Sequence, residues 1–187
     1  MAEPRLKAHI MDEAAVRRAM TRIAHEVVER NEGSGNVALV GIVRRGDPLA
    51  RMLADEIEAI EGVRPPLGTL DTSFYRDDYS KRVVAVQQAS EIPFAVDGRD
   101  IVLVDDVLYT GRTVRSALDA IMDYGRPATI QLAVLVDRGH RELPVRADYV
   151  GKNVPSSREE DVRVLVPPFD DGLAVEIWET PAEGRGE

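Results

Sequence analysis

Ile101-Val102-Leu103-Val104-Asp105-Asp106-Val107-Leu108-Tyr109-Thr110-Gly111-Arg112-Thr113 is the stretch that decides the fold. Four apolar residues run into two adjacent carboxylates, and a loop bearing threonine and glycine leads into a helical pattern from Val114. An unbroken apolar run of this kind reads as a strand buried on both faces of a parallel sheet. The loop behind it then lies at the carboxyl end of a strand, where open α/β sheets take their ligands. Thr110, Gly111, Arg112 and Thr113 stand at the start of the next helix, so free amides and hydroxyls there form a phosphate cradle. Asp105 and Asp106 only accept hydrogen bonds when ionised, which suits a sugar diol or a magnesium shell. A phosphorylated sugar satisfies both halves of the loop at once. The bland alternative is an ordinary strand-to-helix turn with two solvated acids, and the strand–loop–helix context weighs against it.

Outward from that stretch the pattern alternates, without internal repeats or low-complexity linkers. Asp12 is a fitting N-cap for a helix to about Arg30, closed by Gly33 and Gly35. Val37 to Ile42 reads as a strand, and Pro48 opens a helix to about Ile60. Leu67 to Phe74 reads as extended. Residues 76–91 have mixed charge and no clear period, so they are expected to form a mobile loop. Val114 to Tyr124 is the helix that follows the motif strand, ended by Gly125. Thr129 to Val136 is a further buried strand, and Val162–Val166 with Leu173–Trp178 form a C-terminal hairpin. The expectation is one α/β domain, a mainly parallel central sheet flanked by helices, with the last eight residues disordered.

Composition narrows the classes. With 187 residues the chain can build a full core, and 44% apolar with 30% charged residues is ordinary for a soluble globular protein. The absence of cysteine removes disulfides, thiolate catalysis and Cys-based zinc sites. There is no apolar run of membrane-spanning length and no signal-peptide pattern at the start, so a cytoplasmic location without membrane attachment is expected. A net charge of −9 argues against indiscriminate nucleic-acid binding over the whole surface but leaves room for a local basic patch.

A second loop has the same context as the first. Val43, Arg44, Arg45 and Gly46 follow a strand and precede a helix, with Gly41 and Gly46 allowing close backbone approach. Its bland reading is a helix-capping turn with two solvated arginines.

Three further stretches share a pattern with the first. Tyr75-Arg76-Asp77-Asp78, Val136-Asp137-Arg138-Gly139-His140-Arg141-Glu142-Leu143-Pro144 and Gly151-Lys152-Asn153-Val154-Pro155, taken with residues 101–113, resemble the type I phosphoribosyltransferases. The likeness is to the bifunctional members that join uracil phosphoribosyltransferase activity to attenuation of a pyrimidine operon. It runs from the helix holding Thr21-Arg22-Ile23-Ala24-His25-Glu26 to about Glu179.

The resemblance implies that uracil and PRPP give UMP and diphosphate, with Mg2+ carried by PRPP near Asp105 and Asp106 and no permanent metal site on the protein. It places the 5′-phosphate on Val107, Leu108, Tyr109, Thr110, Gly111, Arg112 and Thr113, and the pyrophosphate on Val43, Arg44, Arg45 and Gly46. Such loops often carry a non-proline cis peptide, expected here between Val43 and Arg45. Arg44 stands where the family usually has threonine, so the role of its side chain is open. Water must be kept from PRPP, and the 76–91 segment is the expected hood, with Arg76, Lys81 and Arg82 able to reach the pyrophosphate; a plain solvated loop is the alternative. Purine-specific relatives carry an aspartate aligned with Tyr109, which favours a pyrimidine here. Uracil is expected at Val136, Asp137 and Arg138, read by backbone groups.

A basic face completes the reading. On a helix over residues 12–30, Val16, Met20, Ile23 and Val27 form one stripe, and Arg18, Thr21, Arg22 and His25 lie opposite. A solvated face is the bland reading, since Glu26 and Glu29 are nearby. Arg138, His140, Arg141, Arg146, Lys152 and Arg158 add a second cluster against Asp137, Glu142 and Asp148. The bifunctional members of the family bind a hairpin in the leader mRNA of their own operon. Thr21, His25, Arg141, Arg146 and Lys152 match positions used there, which makes Arg18, Thr21, Arg22, His25, His140, Arg141, Arg146 and Lys152 the candidate RNA contacts. Guanidinium, imidazole and hydroxyl groups suit phosphates and splayed bases of an RNA loop. UMP or UTP is the expected effector, and a homodimer or higher oligomer the expected assembly. A regulator with weak or lost catalysis, and a plain phosphoribosyltransferase without RNA binding, are the two alternatives. Gly33-Ser34-Gly35 precedes a strand, so it is not a dinucleotide fingerprint, and His25-Glu26-Val27-Val28-Glu29 lacks the second histidine of a zinc protease.

Overall fold

Strand β4 (Asp100–Leu108) is longer than the expected Ile101–Val104 and carries Asp105 and Asp106 inside the sheet ladder. The computed structural model describes residues 4–73 and 90–179. Beyond the acidic pair, Val107 still pairs with Val136 and Leu108 with Asp137 on β5 (Thr129–Asp137). On its other side β4 pairs with β2 (Val37–Ile42), all six residues of which are buried. β3 (Leu67–Leu70) flanks β2 and β6 (Tyr149–Asn153) flanks β5, so the parallel order is β3-β2-β4-β5-β6. Strand order reverses between β2 and β4. The loops at the carboxyl ends of those two strands therefore open into the crevice where such sheets bind ligands.

The strands are apolar throughout because both faces are covered. Val37, Leu39, Val102, Val104, Ala133 and Leu135 pack with helices α1 (Glu13–Arg30) and α2 (Gly46–Glu61). The alternate residues Ala38, Val40, Ile101, Leu103, Leu132 and Val134 pack with α3 (Arg112–Met122). Asp12 caps α1, its Oδ1 accepting from the Ala15 amide at 2.7 Å. Asn31 stands at the C-terminal cap of α1, one residue past Arg30. α2 begins at Gly46, two residues before the expected Pro48, and ends at Gly62 in the left-handed region, φ 76°.

The expected C-terminal hairpin is present as β7 (Glu160–Leu165) and β8 (Ala174–Glu179). It belongs to a larger unit than the hairpin alone. An unanticipated strand β1 (Arg5–Met11) joins β8 to give an antiparallel sheet of order β1-β8-β7. Arg76, Lys81 and Arg82 of the expected hood, and the last eight residues, lie outside the described residues. At the near end of the hood segment, Thr69 and Glu91 exchange amide hydrogen bonds at 2.8 and 2.9 Å, and the Asp71 amide donates to Ser90 Oγ at 2.9 Å. Among the described residues no helix is long and apolar enough to cross a membrane.

Candidate active site and nucleic-acid face

Because successive side chains on a strand point to opposite faces, the two carboxylates of β4 diverge. Asp105 is buried and lines a cavity of about 390 Å³ with residues 107–114 and Glu142. Asp106 lines a different cavity, together with Arg45 and β7. Each carboxylate is oriented by the next amide: Asp106 N–H donates to Asp105 Oδ1 at 2.9 Å, and Val107 N–H to Asp106 Oδ1 at 2.8 Å. Gly111 caps α3 with φ +93°, a conformation that favours glycine, and turns the first-turn amides of the helix toward the 109–113 loop. The loop is held from behind by Glu142 and Leu143, whose amides donate to Thr110 O at 2.9 and 3.1 Å. Arg112 Nε donates to Glu142 Oε2 at 2.8 Å, so this guanidinium is paired across the rim of the same cavity.

The second loop leans on the first. The Val43–Arg44 peptide is cis, within the expected interval. At Gly41 an added Cβ would come within 2.5 Å of Asp47 Cα, and at Gly46 it would run into the Val104 carbonyl oxygen. Only glycine lets α2 start this close to the acidic pair. Arg45 makes a two-pronged contact with Asp170, Nε to Oδ2 at 3.1 Å and Nη2 to Oδ1 at 3.0 Å. Arg44 is exposed and lies over the Phe169 ring at 5.2 Å. The hydrogen bonds that Arg45 donates to Asp170 hold its guanidinium above its ordinary pKa, with burial opposing and the charges of Asp170 and Asp106 adding. Burial pushes the Asp170 carboxyl up, but the Arg45 hydrogen bonds, the Val166 amide and the Arg45 charge together outweigh it and hold its pKa below the usual value. Sequence reasoning missed Asp170 and Phe169. Pro167-Pro168-Phe169-Asp170-Asp171 signals a turn, and nothing local names a partner 125 residues away.

A third cavity, of about 580 Å³, is lined by residues 137–141 with Asn153, Pro155 and Ser156. The expected backbone readers are partly engaged within the protein: the Arg138 amide donates to Leu108 O at 3.1 Å, and Asp137 O accepts from the Val154 amide at 2.8 Å. The Arg138 side chain is buried over the Tyr109 ring, 4.1 Å from its centroid, and donates to Ser156 Oγ, Ser157 O and Glu160 O. His140, with φ +59°, sets its ring edge-on to Tyr109 at 6.1 Å and contacts the Ser156 carbonyl. Arg141 turns inward as well, to Asp137, Val145 O, Tyr109 O and Gly139 O. In this conformation Arg138 and Arg141 brace the loop.

On α1 the apolar stripe is buried as expected, and Arg18, Arg22 and His25 are exposed. Thr21 is half-buried, its hydroxyl shared between Arg17 O at 3.0 Å and Glu56 Oε2 at 2.9 Å. Arg22 pairs with Glu26 at 2.7 Å and donates from Nη2 to Val150 O and Gly151 O at 3.1 and 2.7 Å. It thereby caps carbonyls of the edge strand β6. Arg146 and Lys152 are exposed, and Lys152 reaches the Ile10 carbonyl at 3.4 Å.

The phosphoribosyl transferase domain family matches residues 8–168. The bifunctional protein PyrR of Pelotomaculum thermopropionicum is 59% identical over 177 residues, covering 94% of this chain and 98% of the relative. The bifunctional protein PyrR of Bacillus subtilis is 54% identical over 176 residues, covering 92% and 97%. Among solved structures, a hypoxanthine-guanine phosphoribosyltransferase of Bacillus anthracis superposes with a TM-score of 0.71 at 15% identity, over 94% of this chain and 99% of that one. A hypoxanthine phosphoribosyltransferase of Trypanosoma cruzi in complex with the product IMP gives 0.71 at 15%, over 93% and 91%. The latter two share the fold alone. The likeness to the PyrR proteins runs through the sequence almost end to end, and on it the chain belongs to the PyrR family of phosphoribosyltransferases.

Proposed function

We propose that this chain makes UMP and diphosphate from uracil and PRPP, and binds a pyrimidine-operon leader RNA in response to UMP. The observation that carries the catalytic half is the pair of loops flanking one switch point, with Asp105 in the cradle cavity and Asp106 beside Arg45. A ribose 5-phosphate set there has its phosphate on the amides and hydroxyls of residues 109–113, its diol near the acidic pair, and its pyrophosphate toward residues 43–46. The cavity at 137–156 then receives the base. A C1′–N1 bond to uracil replaces the C1′–O bond to diphosphate, the proton on uracil N1 leaves with the departing diphosphate, and no covalent protein intermediate is needed. The ribosyl carbon gains cationic character as that bond loosens, and the two carboxylates stabilise it electrostatically. The oxygen-only donors Asp105 and Asp106 fit Mg2+, which bound with PRPP neutralises charge on the leaving diphosphate. Tyr109, clamped by Arg138 and His140, closes the wall between cradle and base cavity.

The regulatory half is supported by the family and by the groups left open to solvent, Arg18 and His25 on α1, Lys152 on β6 and Arg146 in the loop before it. The chain works as a dimer or larger assembly; light scattering is expected to give a multiple of 20.6 kDa, and a monomer at working concentration contradicts it. One experiment tests both halves: an RNA titration with and without UMP, run beside a uracil–PRPP assay. UMP formation and UMP-tightened RNA binding are expected together.

A further inference from the structure

A cavity of about 460 Å³ lies between the pyrophosphate loop and the β7–β8 hairpin, lined by Arg45, Asp106, Asp170 and β7 from Asp161 to Leu165. Arg45 meets Asp170 through Nε and Nη2. A guanidinium has two edges that can grip an anion, the side edge (Nε with one Nη) and the end edge (both Nη). Asp170 takes the side edge and leaves the end edge. Asp170 is itself fixed: its Oδ2 accepts from the Val166 amide at 3.0 Å, and its own amide donates to Val166 O at 3.2 Å. Next to it Arg44 lies over Phe169. Two consecutive arginines of the loop are thus held by two consecutive residues of the hairpin turn. The Arg45 side chain keeps 38% of its surface exposed, whereas Asp170 keeps 17%. The carboxylate is the enclosed partner and the guanidinium the one still presented to the cavity.

We infer that Asp170 is a positioning residue for the pyrophosphate of PRPP: it locks Arg45 by one edge and presents the other to the anion. This rests on the phosphoribosyl-transfer reading above. An arginine without such a partner would have to freeze its side-chain rotors when the anion binds; here that ordering is already done in the folded chain. Because anion and carboxylate use different edges, they occupy Arg45 together and do not compete. The lowered pKa of Asp170 keeps its carboxylate charged over the whole neutral range.

The test uses the full chain and the variant Asp170→Asn, which keeps the shape but removes the charge and one of the two acceptors. Calorimetry with magnesium pyrophosphate and with magnesium PRPP reads binding without turnover. About tenfold weaker binding of both is expected, with UMP affinity held, and KM for PRPP raised while KM for uracil is not. In an Arg45→Ala background Asp170→Asn should add nothing, because Asp170 acts through Arg45. If Asp170→Asn does not fold, Arg45→Lys gives the same selective loss, since an ammonium cannot make two parallel bonds. Unchanged pyrophosphate affinity overturns the inference. So does tighter binding, which would make Asp170 a competitor, and so does equal weakening of UMP and pyrophosphate, which would make the role structural. If the wild type binds pyrophosphate but makes no UMP from uracil, the functional reading fails while the Asp170 result still stands.

Discussion

Asp105 and Asp106 are neighbours in the chain, yet they serve different cavities, because β4 extends through them and alternation separates their side chains. Asp105→Asn and Asp106→Asn should therefore each slow UMP formation. By this geometry Asp106→Asn also disturbs the pyrophosphate side, where it faces Arg45, and Asp105→Asn disturbs the cradle side. Activity should vanish in excess chelator; full activity there sinks the magnesium-dependent mechanism. A pH prediction follows from the Arg45–Asp170 pair. Asp170 has a folded pKa below its ordinary 3.8. The stability it contributes is thus present above the unfolded value and lost only as pH falls through the lowered one. Pyrophosphate affinity should then show no titration from Asp170 between about pH 5 and pH 8, where the carboxylate stays charged; a step in that window in wild type, absent in Asp170→Asn, would contradict the pairing. The motif residues were legible because each loop bears its own chemistry within a few positions. Asp170, Phe169 and the inward turn of Arg138 and Arg141 were not, because they depend on partners supplied by distant segments.

At the scale of elements, α1 was readable from its cap and its apolar stripe, and β2, β4 and β5 from unbroken apolar runs. β1 and β6 escaped notice for physical reasons. β1 is an edge strand with only Met11 buried, and β6 is five residues long with a glycine and an exposed lysine in its middle. β6 matters nonetheless, since Gly151 lies against the Leu135 carbonyl and Arg22 caps the strand from α1. The RNA prediction divides along this line. His25→Ala and Arg146→Gln, both exposed, should each lower affinity for the leader RNA about tenfold or more, the loss of one hydrogen bond to a charged group being about 1.5–3 kcal/mol, whereas Thr21→Ala should cost less because its hydroxyl is already bonded to Arg17 O and Glu56. UMP synthesis should be largely spared, because Thr21 and His25 lie on α1, away from the strand ends that frame the cavities, and the Arg146 side chain is exposed. Filter-binding or calorimetric titration beside the uracil–PRPP assay checks both. Equal loss of RNA binding and synthesis would mean that the variants damage the fold and not a contact face.

For the whole molecule the question is how a nucleotide in the crevice could affect RNA on α1. Strand β6 touches both regions. Its end, Asn153, lines the cavity proposed for the base and pairs with Asp137, while its middle is fastened to α1 through Arg22, and Arg30 on the same helix pairs with Asp148 just before the strand at 2.7 Å. If UMP enters the 137–156 cavity and RNA the α1 face, as proposed, both ligands bear on this one strand. Coupling between two such sites is reciprocal: if UMP tightens RNA binding by some factor, RNA must tighten UMP binding by the same factor, and couplings of this kind are typically about 5–150-fold. The net charge of −9 repels RNA over most of the surface, so binding must concentrate on a local cationic face and should weaken steadily with added salt as phosphate contacts are screened. Titrating RNA at several UMP concentrations, and UMP at several RNA concentrations, measures both factors. Equal and substantial factors are expected. Factors of one in both directions would separate the two activities into independent sites. If no pyrimidine-leader RNA binds at all, the regulatory half fails and a plain uracil phosphoribosyltransferase remains.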